Sequence, residues 1–333
     1  MKLPRFIIFI LSIILFILLS IIVIKISHKN TPVMGKPQLK FNSNGTFKIV
    51  QFADIQDGAD TDARTIALMN KILDYEKPDL VVLTGDNVDY RCKSATEVKI
   101  AIYNISKPME KRHIPWAIVF GNHDEDHGQM NEEEMMKLYM SYPYNISQMG
   151  SKEADSVGNY NLLIMDNKGN KPIFNIYMLN SGKNAPDNIG GEDWIKFNQI
   201  QWYRDTSTEL KKKFHKTIPA LMFFHIPLPE FKQVWKSGNA VGEKNEEEST
   251  PKLNSGLFTS LVEMGDVKGV FVGHDHINDY VGELYGIKLG FSRNVGYGTY
   301  GKEDFSRGAR VFLINKSNTD KFQTWMKLQS DFE

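Results

Sequence analysis

The chain has 333 residues, of which 40 are Lys or Arg and 40 are Asp or Glu, so its formal net charge at pH 7 is zero. Without a basic excess, nucleic acid is not expected as the main partner. The single cysteine, Cys92, excludes an intramolecular disulfide framework and a cysteine-rich zinc site. Stability must therefore come from a hydrophobic core, and the chain is long enough to form a large one.

The first segment is predicted to lie outside that core. Lys2 and Arg5 precede an apolar run over residues 6–24, which at about 19 residues can cross a bilayer as a helix. No small-residue cleavage site follows it, so residues 1–30 are predicted to be an uncleaved signal anchor in the cell membrane. The remainder of the chain would lie outside the cytoplasm. A cleaved signal with secretion and a buried helix of a soluble protein are the alternatives.

Residues 31–45 are polar and contain Pro and Gly, so they are predicted to be a linker. Strands and helices then alternate. The predicted elements are strands over residues 47–53, 80–83 and 116–120 and helices over residues 61–76 and 94–111. This alternation predicts a largely parallel sheet with right-handed crossovers.

The second half continues in the same style. Its predicted elements are helices over residues 131–142, 195–213 and 254–264 and strands over residues 159–165, 173–179, 218–224 and 267–272. Short strands within residues 286–327 suit an antiparallel edge. Residues 243–249 are rich in Glu and are predicted to form a solvated, mobile loop. Residues 46–333 are therefore predicted to be one domain.

Polar side chains follow the predicted strands, at the point where each strand ends. They are Asp54, Asp86, Asn122, His225, His274 and His276. Taken singly, each is explained by a turn or a structural hydrogen bond. Together and in this order they favour a metal site, because α/β proteins bind ligands at the carboxyl ends of their strands. Carboxylate, amide and imidazole donors suit Mn, Fe or Zn, and six donors suit two ions better than one.

The motifs around these residues resemble those of a known superfamily. The series Asp54-x-Gln56, Gly85-Asp86-x-x-Asp89, Gly121-Asn122-His123-Asp124, His225 and Gly273-His274-x-His276 is similar to the calcineurin-like metallophosphoesterases. The flanking residues 223–230, 254–256, 265–268 and 273–279 resemble the branch labelled purple acid phosphatase 29-like. The resemblance covers residues 47–312.

This resemblance implies an α/β (α+β) fold, a four-layer sandwich of two mixed β-sheets flanked by helices, here preceded by one transmembrane helix. The implied metal ligands are Asp54, Asp86 and His276 for the first ion and Asn122, His225 and His274 for the second, with Asp86 bridging. His123 would face the substrate phosphate and the leaving oxygen without binding metal. Asp89 occupies the place of the acid that orients this histidine, and Asp124 is a second candidate for that role.

The chain departs from the superfamily pattern at Gln56, where most relatives have a ligand histidine. Plant and mammalian purple acid phosphatases lack that histidine but have a tyrosinate three residues after the bridging aspartate. Here that position is Asp89, with Tyr90 one residue further on. Either the Gln56 amide oxygen or water would complete the first site, so a looser first metal ion without tyrosinate colour is expected.

The predicted function is hydrolysis of phosphate esters, either monoesters or diesters, by a hydroxide shared between two Mn, Fe or Zn ions. His123 would protonate the leaving group. The alternative is a metal- or phosphate-binding module in which Gln56 marks a degraded first site. A nuclease would need a basic track that the sequence lacks.

The expected partners are a small phosphorylated substrate and, through the N-terminal helix, the membrane; the catalytic domain is expected to be monomeric. Asn180, Ser181 and the turn at residues 254–256 are candidates for lining the substrate side. The loops over residues 126–131 and 232–250 are the candidates for specificity.

Overall fold

The computed structural model describes residues 35–154 and 156–333, of which residues 36–333 form one compact unit. The predicted signal anchor, residues 1–30, lies outside the described residues. No helix in the part of the chain that the structure describes is long and apolar enough to cross a membrane. The predicted linker ends earlier than expected, because Leu39 and Phe41 are buried and the Phe41 N–H donates to the Met165 carbonyl.

The described residues form eleven strands and six α-helices. In chain order they are β1 (Thr46–Phe52), α1 (Ala63–Glu76), β2 (Leu80–Thr84), α2 (Ala95–Lys111), β3 (Trp116–Val119), α3 (Glu132–Ser141), β4 (Tyr160–Met165), β5 (Pro172–Met178), α4 (Phe197–Phe214), β6 (Ala220–Phe223), α5 (Glu230–Lys236), α6 (Leu257–Met264), β7 (Val267–Val272), β8 (Val281–Leu284), β9 (Ile287–Phe291), β10 (Gly308–Asn315) and β11 (Asn318–Leu328). Two short 3₁₀ turns, Lys152–Ala154 and Gln329–Phe332, complete the structure.

Both sheets are mixed, as the resemblance implied. The first has the order β11-β10-β1-β2-β3, in which β1, β2 and β3 run parallel and the β10–β11 hairpin pairs antiparallel. The second has the order β4-β5-β6-β7-β9-β8, with a parallel centre and antiparallel strands at both edges. The helices α1 and α2 are the crossovers that make the first three strands parallel.

The sheets lie face to face, with helices outside them. Leu221 and Phe223 of β6 belong to a core that also contains side chains of the first sheet, α1 and α2. Met222, between them, belongs to a second core with residues of α4 and α6. Because side chains alternate along a strand, β6 has one face against the other sheet and one against helices. This gives the two-sheet fold of the predicted class.

Two predictions for the second half were wrong. The helix α5, Glu230–Lys236, occupies the start of the predicted loop over residues 232–250. Residues 243–249 are not solvated throughout: Glu248 is 3% exposed, accepts a 2.7 Å hydrogen bond from Tyr280 Oη, and pairs with Lys244 at 2.8 Å. Glu248 is held by one neighbour within the charged run and by Tyr280, which is distant in sequence and which local composition does not reveal.

Candidate metal centre

The structure brings the predicted ligand residues together at one edge of the stacked sheets. Asp54 and Asp86 follow β1 and β2, and Asn122 follows β3 of the first sheet. From the second sheet, His225 follows β6 and the pair His274 and His276 follows β7. Within each sheet these strands pair in parallel, so their carboxyl ends lie at the same edge of that sheet.

The two carboxylates are buried with few hydrogen-bond donors. Asp54 is fully buried and accepts from the His274 backbone N–H at 3.1 and 3.2 Å. Burial raises the pKa of Asp54 to about 7, and the neighbouring Asp86 charge adds to the rise. Burial alone would raise the pKa of Asp86, but the His225 and His123 groups outweigh it and lower that pKa below its usual value. One ligand atom each of Asp54, Asp86 and His276 lie within 4.8 Å of one another.

The imidazole rings of His225, His274 and His276 have the same pattern of contacts. In each ring Nδ1 contacts a neighbouring protein group, and Nε2 lies near a carboxylate oxygen at the centre. His225 Nδ1 lies 2.8 Å from the Thr84 carbonyl oxygen, and its Nε2 lies 3.3 Å from Asp86 Oδ2. His276 Nδ1 lies 3.3 Å from the Tyr300 carbonyl oxygen, and its Nε2 lies 3.5 Å from Asp54 Oδ1. Histidines that bind metal are held in this way, with the second nitrogen fixing the ring.

His274 completes the set. Asp275 Oδ1 lies 3.3 Å from its Nδ1, and Glu192 Oε2 lies 3.3 Å from its Nε2. Burial lowers the pKa of His274, but the Asp275 and Glu192 carboxylates outweigh burial and raise that pKa well above its usual value. Neither acid stands in the predicted ligand set, and the one sequence signal for either is the position of Asp275 between the two histidines of the motif.

Several buried polar atoms of the centre need a positive charge to be satisfied. With Nδ1 donating to Thr84, His225 Nε2 can donate to Asn122 Oδ1, 3.0 Å away, only when the ring is protonated. Burial opposes that form, but the Asp86 and Asp54 carboxylates outweigh burial and raise the pKa of His225. Gln56 Nε2 donates to Asp86 Oδ2 at 3.1 Å, while Gln56 Oε1 is buried without a hydrogen-bond partner among the described residues. Converging acceptors of this kind fit cations, and the donor types fit Mn, Fe or Zn.

The backbone is strained at several residues of the metal centre. Nine non-glycine residues of the described chain have a positive φ, and four of them are at the centre: Asp54, Gln56, Asp86 and His274. Such conformations cost about 1–3 kcal/mol each and concentrate at functional sites. A second sign is the close approach of Gly121 to Asp86, where an added Cβ would lie 2.2 Å from Oδ1. The glycine before Asn122 is therefore required by space rather than by a turn.

The environment of His123 corrects one prediction. His123 is half-exposed, and its Nδ1 lies 2.5 Å from Asp126 Oδ2. Asp89 instead accepts from the Arg91 backbone N–H and from Arg91 Nε, both at 2.7 Å. Asp126 rather than Asp89 therefore contacts the His123 ring. The Asp89 carboxylate, which the motif had indicated for this role, is bound by Arg91 instead.

Asp124, the second candidate, has a structural position. It is fully buried and accepts from the backbone N–H groups of Asn87, Val88 and Gly121 at 2.8 to 3.1 Å. Burial, followed by the Asp86 charge, raises the pKa of Asp124 to about 6. The carboxyl group thus ties the loop after β2 to the loop after β3 and does not contact His123.

A cleft of about 400 Å³ opens over the centre. It is lined by Gln56, Asp86, Asp89, Tyr90, Asn122, His123, Ser249, His274, His276, Gly298, Thr299 and Tyr300. Asn180, Ser181 and residues 254–256 are not among them. The Tyr300 ring stacks on His276 at 4.0 Å between ring centroids, and Tyr300 Oη donates to Glu246 Oε2 at 2.9 Å. Ser249 belongs to the predicted specificity loop over residues 232–250, whereas Thr299 and Tyr300 come from a loop that carries no recognisable motif, so the sequence did not reveal them.

Comparisons with known proteins agree with this geometry. Residues 47–278 match the family model described as calcineurin-like phosphoesterase. The chain is 34% identical to a protein from Arabidopsis thaliana named probable inactive purple acid phosphatase 14, over 96% of this chain and 90% of that protein. It is 37% identical to probable inactive purple acid phosphatase 29 from the same plant, over 87% and 84%.

A solved structure of a dimetal phosphatase from Danio rerio has the same fold, with a TM-score of 0.56 and 14% identity. The match covers 84% of this chain and 98% of that one. At such low identity the likeness concerns the fold alone. The sequence matches confirm the resemblance that the motifs predicted.

Proposed function

This chain belongs to the calcineurin-like phosphoesterase family, and from that premise we propose that it hydrolyses phosphate esters with two bound metal ions. The observation that carries the proposal is the convergence of carboxylate, amide and imidazole groups beneath a cleft that also contains His123. Three buried atoms there, Gln56 Oε1, Glu192 Oε2 and His274 Nε2, have no hydrogen-bond partner among the described residues. A purely structural polar cluster would satisfy its own hydrogen bonds.

The first ion would be held by Asp54, Asp86, His276 and the amide oxygen of Gln56. The second would be held by Asp86, Asn122, His225 and His274. When bound, two such ions lower the pKa of water and neutralise charge on phosphoryl oxygens. Gln56 is suited to its place because its Nε2 donates to Asp86 Oδ2, while its Oε1 is a buried acceptor without a donor among the described residues.

His123 is the proposed proton donor to the leaving oxygen. The Asp126 carboxylate can accept the Nδ1 hydrogen, which orients the ring and leaves Nε2 for the substrate. The backbone N–H of His123 donates to Asp86 Oδ1 at 2.9 Å, so the loop that presents the ring is tied to the centre itself. The segment over residues 121–126 therefore contains both the proton donor, His123, and the Asp126 carboxylate that orients it.

A second candidate function is a metal- or phosphate-binding module without turnover. Two observations favour it: the relatives described above carry the words probable inactive in their names, and Gln56 stands where a stronger histidine donor is usual. His123 argues for catalysis, because a binder has no need of an exposed histidine held by a carboxylate at this place.

The test is elemental analysis of the full-length chain together with turnover of p-nitrophenyl phosphate and bis-p-nitrophenyl phosphate. We expect about two ions per chain and a rate that His123→Ala lowers by about 100-fold or more without metal loss. His215→Asn, at the exposed end of α4, is the matched control and should leave both quantities unchanged. Two ions with no turnover would favour the binding module, and unchanged turnover in His123→Ala would contradict the proposed mechanism.

We also propose that residues 6–24 attach the chain to a membrane, with residues 46–333 outside the cytoplasm. The length of the apolar run and the preceding Lys2 and Arg5 support this topology. Protection of residues 46–333 from protease in intact cells would contradict it. N-terminal sequencing of the mature protein distinguishes an anchor from a cleaved signal.

A further inference from the structure

Glu192 lies at the base of a small hairpin in the loop between β5 and α4. It pairs with Asn184 in an antiparallel bridge, and the flanking bonds are Ala185 N–H to Gly191 O at 2.8 Å and Asp193 N–H to Lys183 O at 2.9 Å. Lys252 Nζ donates to the Ile189 carbonyl at 2.7 Å and ties the hairpin tip to a neighbouring loop. The backbone of Glu192 is therefore held on both sides.

The side chain ends in an unusual contact. Glu192 Oε2 lies 3.3 Å from His274 Nε2, and in the described part of the chain neither atom has a hydrogen-bond partner, although both are buried. An imidazole nitrogen and a carboxylate oxygen at this distance would be expected to align as a hydrogen bond. Two buried atoms that face each other without that alignment suit a cation placed between them.

The other nitrogen of the ring supports this interpretation. Asp275 Oδ1 contacts His274 Nδ1, the arrangement in which a carboxylate fixes a metal-binding histidine from behind. Nε2 would then be the ligand atom of His274, and Glu192 Oε2 lies 3.3 Å from it. The His225 ring, 5.0 Å away between centroids, borders the same space.

We propose that Glu192 is a ligand of the second metal ion and adds a third carboxylate to the centre. This inference rests on the two-metal centre proposed above. Its consequence is asymmetry: the second ion gains an anionic oxygen, whereas the first has the neutral Gln56 amide where a stronger donor is usual. The second ion should therefore bind more tightly than the first and fill before it.

The rival explanation makes the opposite prediction. If Glu192 only neutralises a protonated His274, the metal ion must displace that pair when it binds. Removing the carboxylate would then leave the affinity for the second ion unchanged or increase it. The sign of the change in affinity separates the two explanations.

The experiment titrates the metal-stripped, full-length chain with Mn²⁺ against a fluorescent chelator, with elemental analysis of the loaded protein. Glu192→Gln removes the charge and nearly keeps the shape. Glu192→Asp keeps the charge but shortens the side chain. Asp187→Asn removes one exposed carboxylate from the same hairpin and is the matched control.

For a ligand, we expect both Glu192 variants to weaken the tighter of the two sites by about 10- to 100-fold, with the weaker site and Asp187→Asn unchanged. Equal or tighter Mn²⁺ binding by Glu192→Gln would overturn the assignment, and so would a loss confined to the weaker site. A wild-type chain that binds fewer than two ions would instead overturn the two-metal centre. Because the readout is affinity, the result does not depend on turnover, and Glu192→Asp decides the matter if Glu192→Gln folds poorly.

Discussion

The two ends of β7 carry two buried polar clusters with opposite hydrogen-bonding states. Before the strand, Asp266 accepts from Tyr177 Oη at 2.9 Å, Tyr203 Oη at 2.5 Å and Ser207 Oγ at 2.7 Å. After the strand, His274 Nε2 faces Glu192 Oε2 without a hydrogen bond, and Gln56 Oε1 is buried without a donor among the described residues. Both clusters are buried and contain acids, so neither burial nor residue type distinguishes them.

The difference lies in the match of donors to acceptors. The Asp266 cluster has three hydroxyl donors for one carboxylate and ties α4 and β5 to the start of β7, which makes it part of the fold. The cluster after β7 has too few donors, and a cation would complete it. This comparison predicts that substitutions at the first end change stability and that substitutions at the second change metal binding.

The strongest test of the comparison is Asp54→Asn. Asn keeps an acceptor for the His274 N–H but loses the charge, so we expect metal to be lost from the first site and kcat to fall by about 10²–10³-fold or more. The raised pKa of Asp54, about 7, means that its contribution to stability is lost as the pH rises through 7. The metal-free variant should therefore be more stable than the metal-free wild type at pH 8.

Elemental analysis measures the loss of metal from Asp54→Asn, and urea denaturation in the presence of chelator measures the stability of the metal-free chains. Asp60→Asn, a carboxylate in the loop after β1 that is exposed to solvent, is the control and should change neither quantity. A metal-free Asp54→Asn chain that is clearly less stable than wild type would mean that Asp54 is a structural group like Asp266.

Asp266→Ala should give the reverse result. It leaves the hydroxyls of Tyr177, Tyr203 and Ser207 buried without an acceptor, so we expect a loss of about 3 kcal/mol or more in the free energy of unfolding. The number of bound metal ions should not change. Denaturant unfolding measures the loss, and Asp266→Asn, which retains one acceptor oxygen, should lose less. Loss of metal from a folded Asp266→Ala chain would break the separation between the two ends of β7.

The third prediction concerns His123, at the border of the metal cluster. Asp126→Asn should lower kcat for alkyl phosphates by about 10–100-fold, because a misplaced histidine cannot protonate a poor leaving group. The effect on p-nitrophenyl phosphate should be much smaller, because that leaving group scarcely needs a proton. Comparing the two substrates therefore separates positioning of the proton donor from general damage to the site.

Asp89→Asn is the matched control for that experiment. Its carboxylate is bound by Arg91 rather than by the histidine, so the variant should not show the dependence on leaving group. If Asp89→Asn shows that dependence and Asp126→Asn does not, the assignment of the orienting acid is reversed.

The sequence predicted the parts of this structure that depend on local pattern. The apolar strands and the polar residues after them locate Asp54, Asp86 and the histidines, because strand period and chain order fix which edge they share. It did not predict Asp126 or Glu192. Arg91 binds the Asp89 carboxylate, which leaves Asp126 to contact His123. Glu192 contacts His274 from a hairpin in a different loop, 82 positions earlier in the chain. Contacts of this kind leave no periodic signal.

The smallest expected effect comes from Glu132. Its half-buried carboxylate has fewer donors than Asp266 but, unlike the metal centre, is not predicted to bind a cation. Among the described residues its one hydrogen-bond donor is Asn180 Nδ2, at 2.8 Å from Oε2, and burial together with the nearby Asp124 raises the pKa of Glu132 to about 7. Because the folded chain holds this proton more tightly than the unfolded chain, the contribution to stability is complete below about pH 4.5 and is lost as the pH rises through 7. We expect the wild type to lose about 1–2 kcal/mol more than Glu132→Gln between pH 5 and pH 8. Urea denaturation of the metal-free chains at the two pH values measures this difference, and parallel losses would show that one amide donor already satisfies the carboxylate.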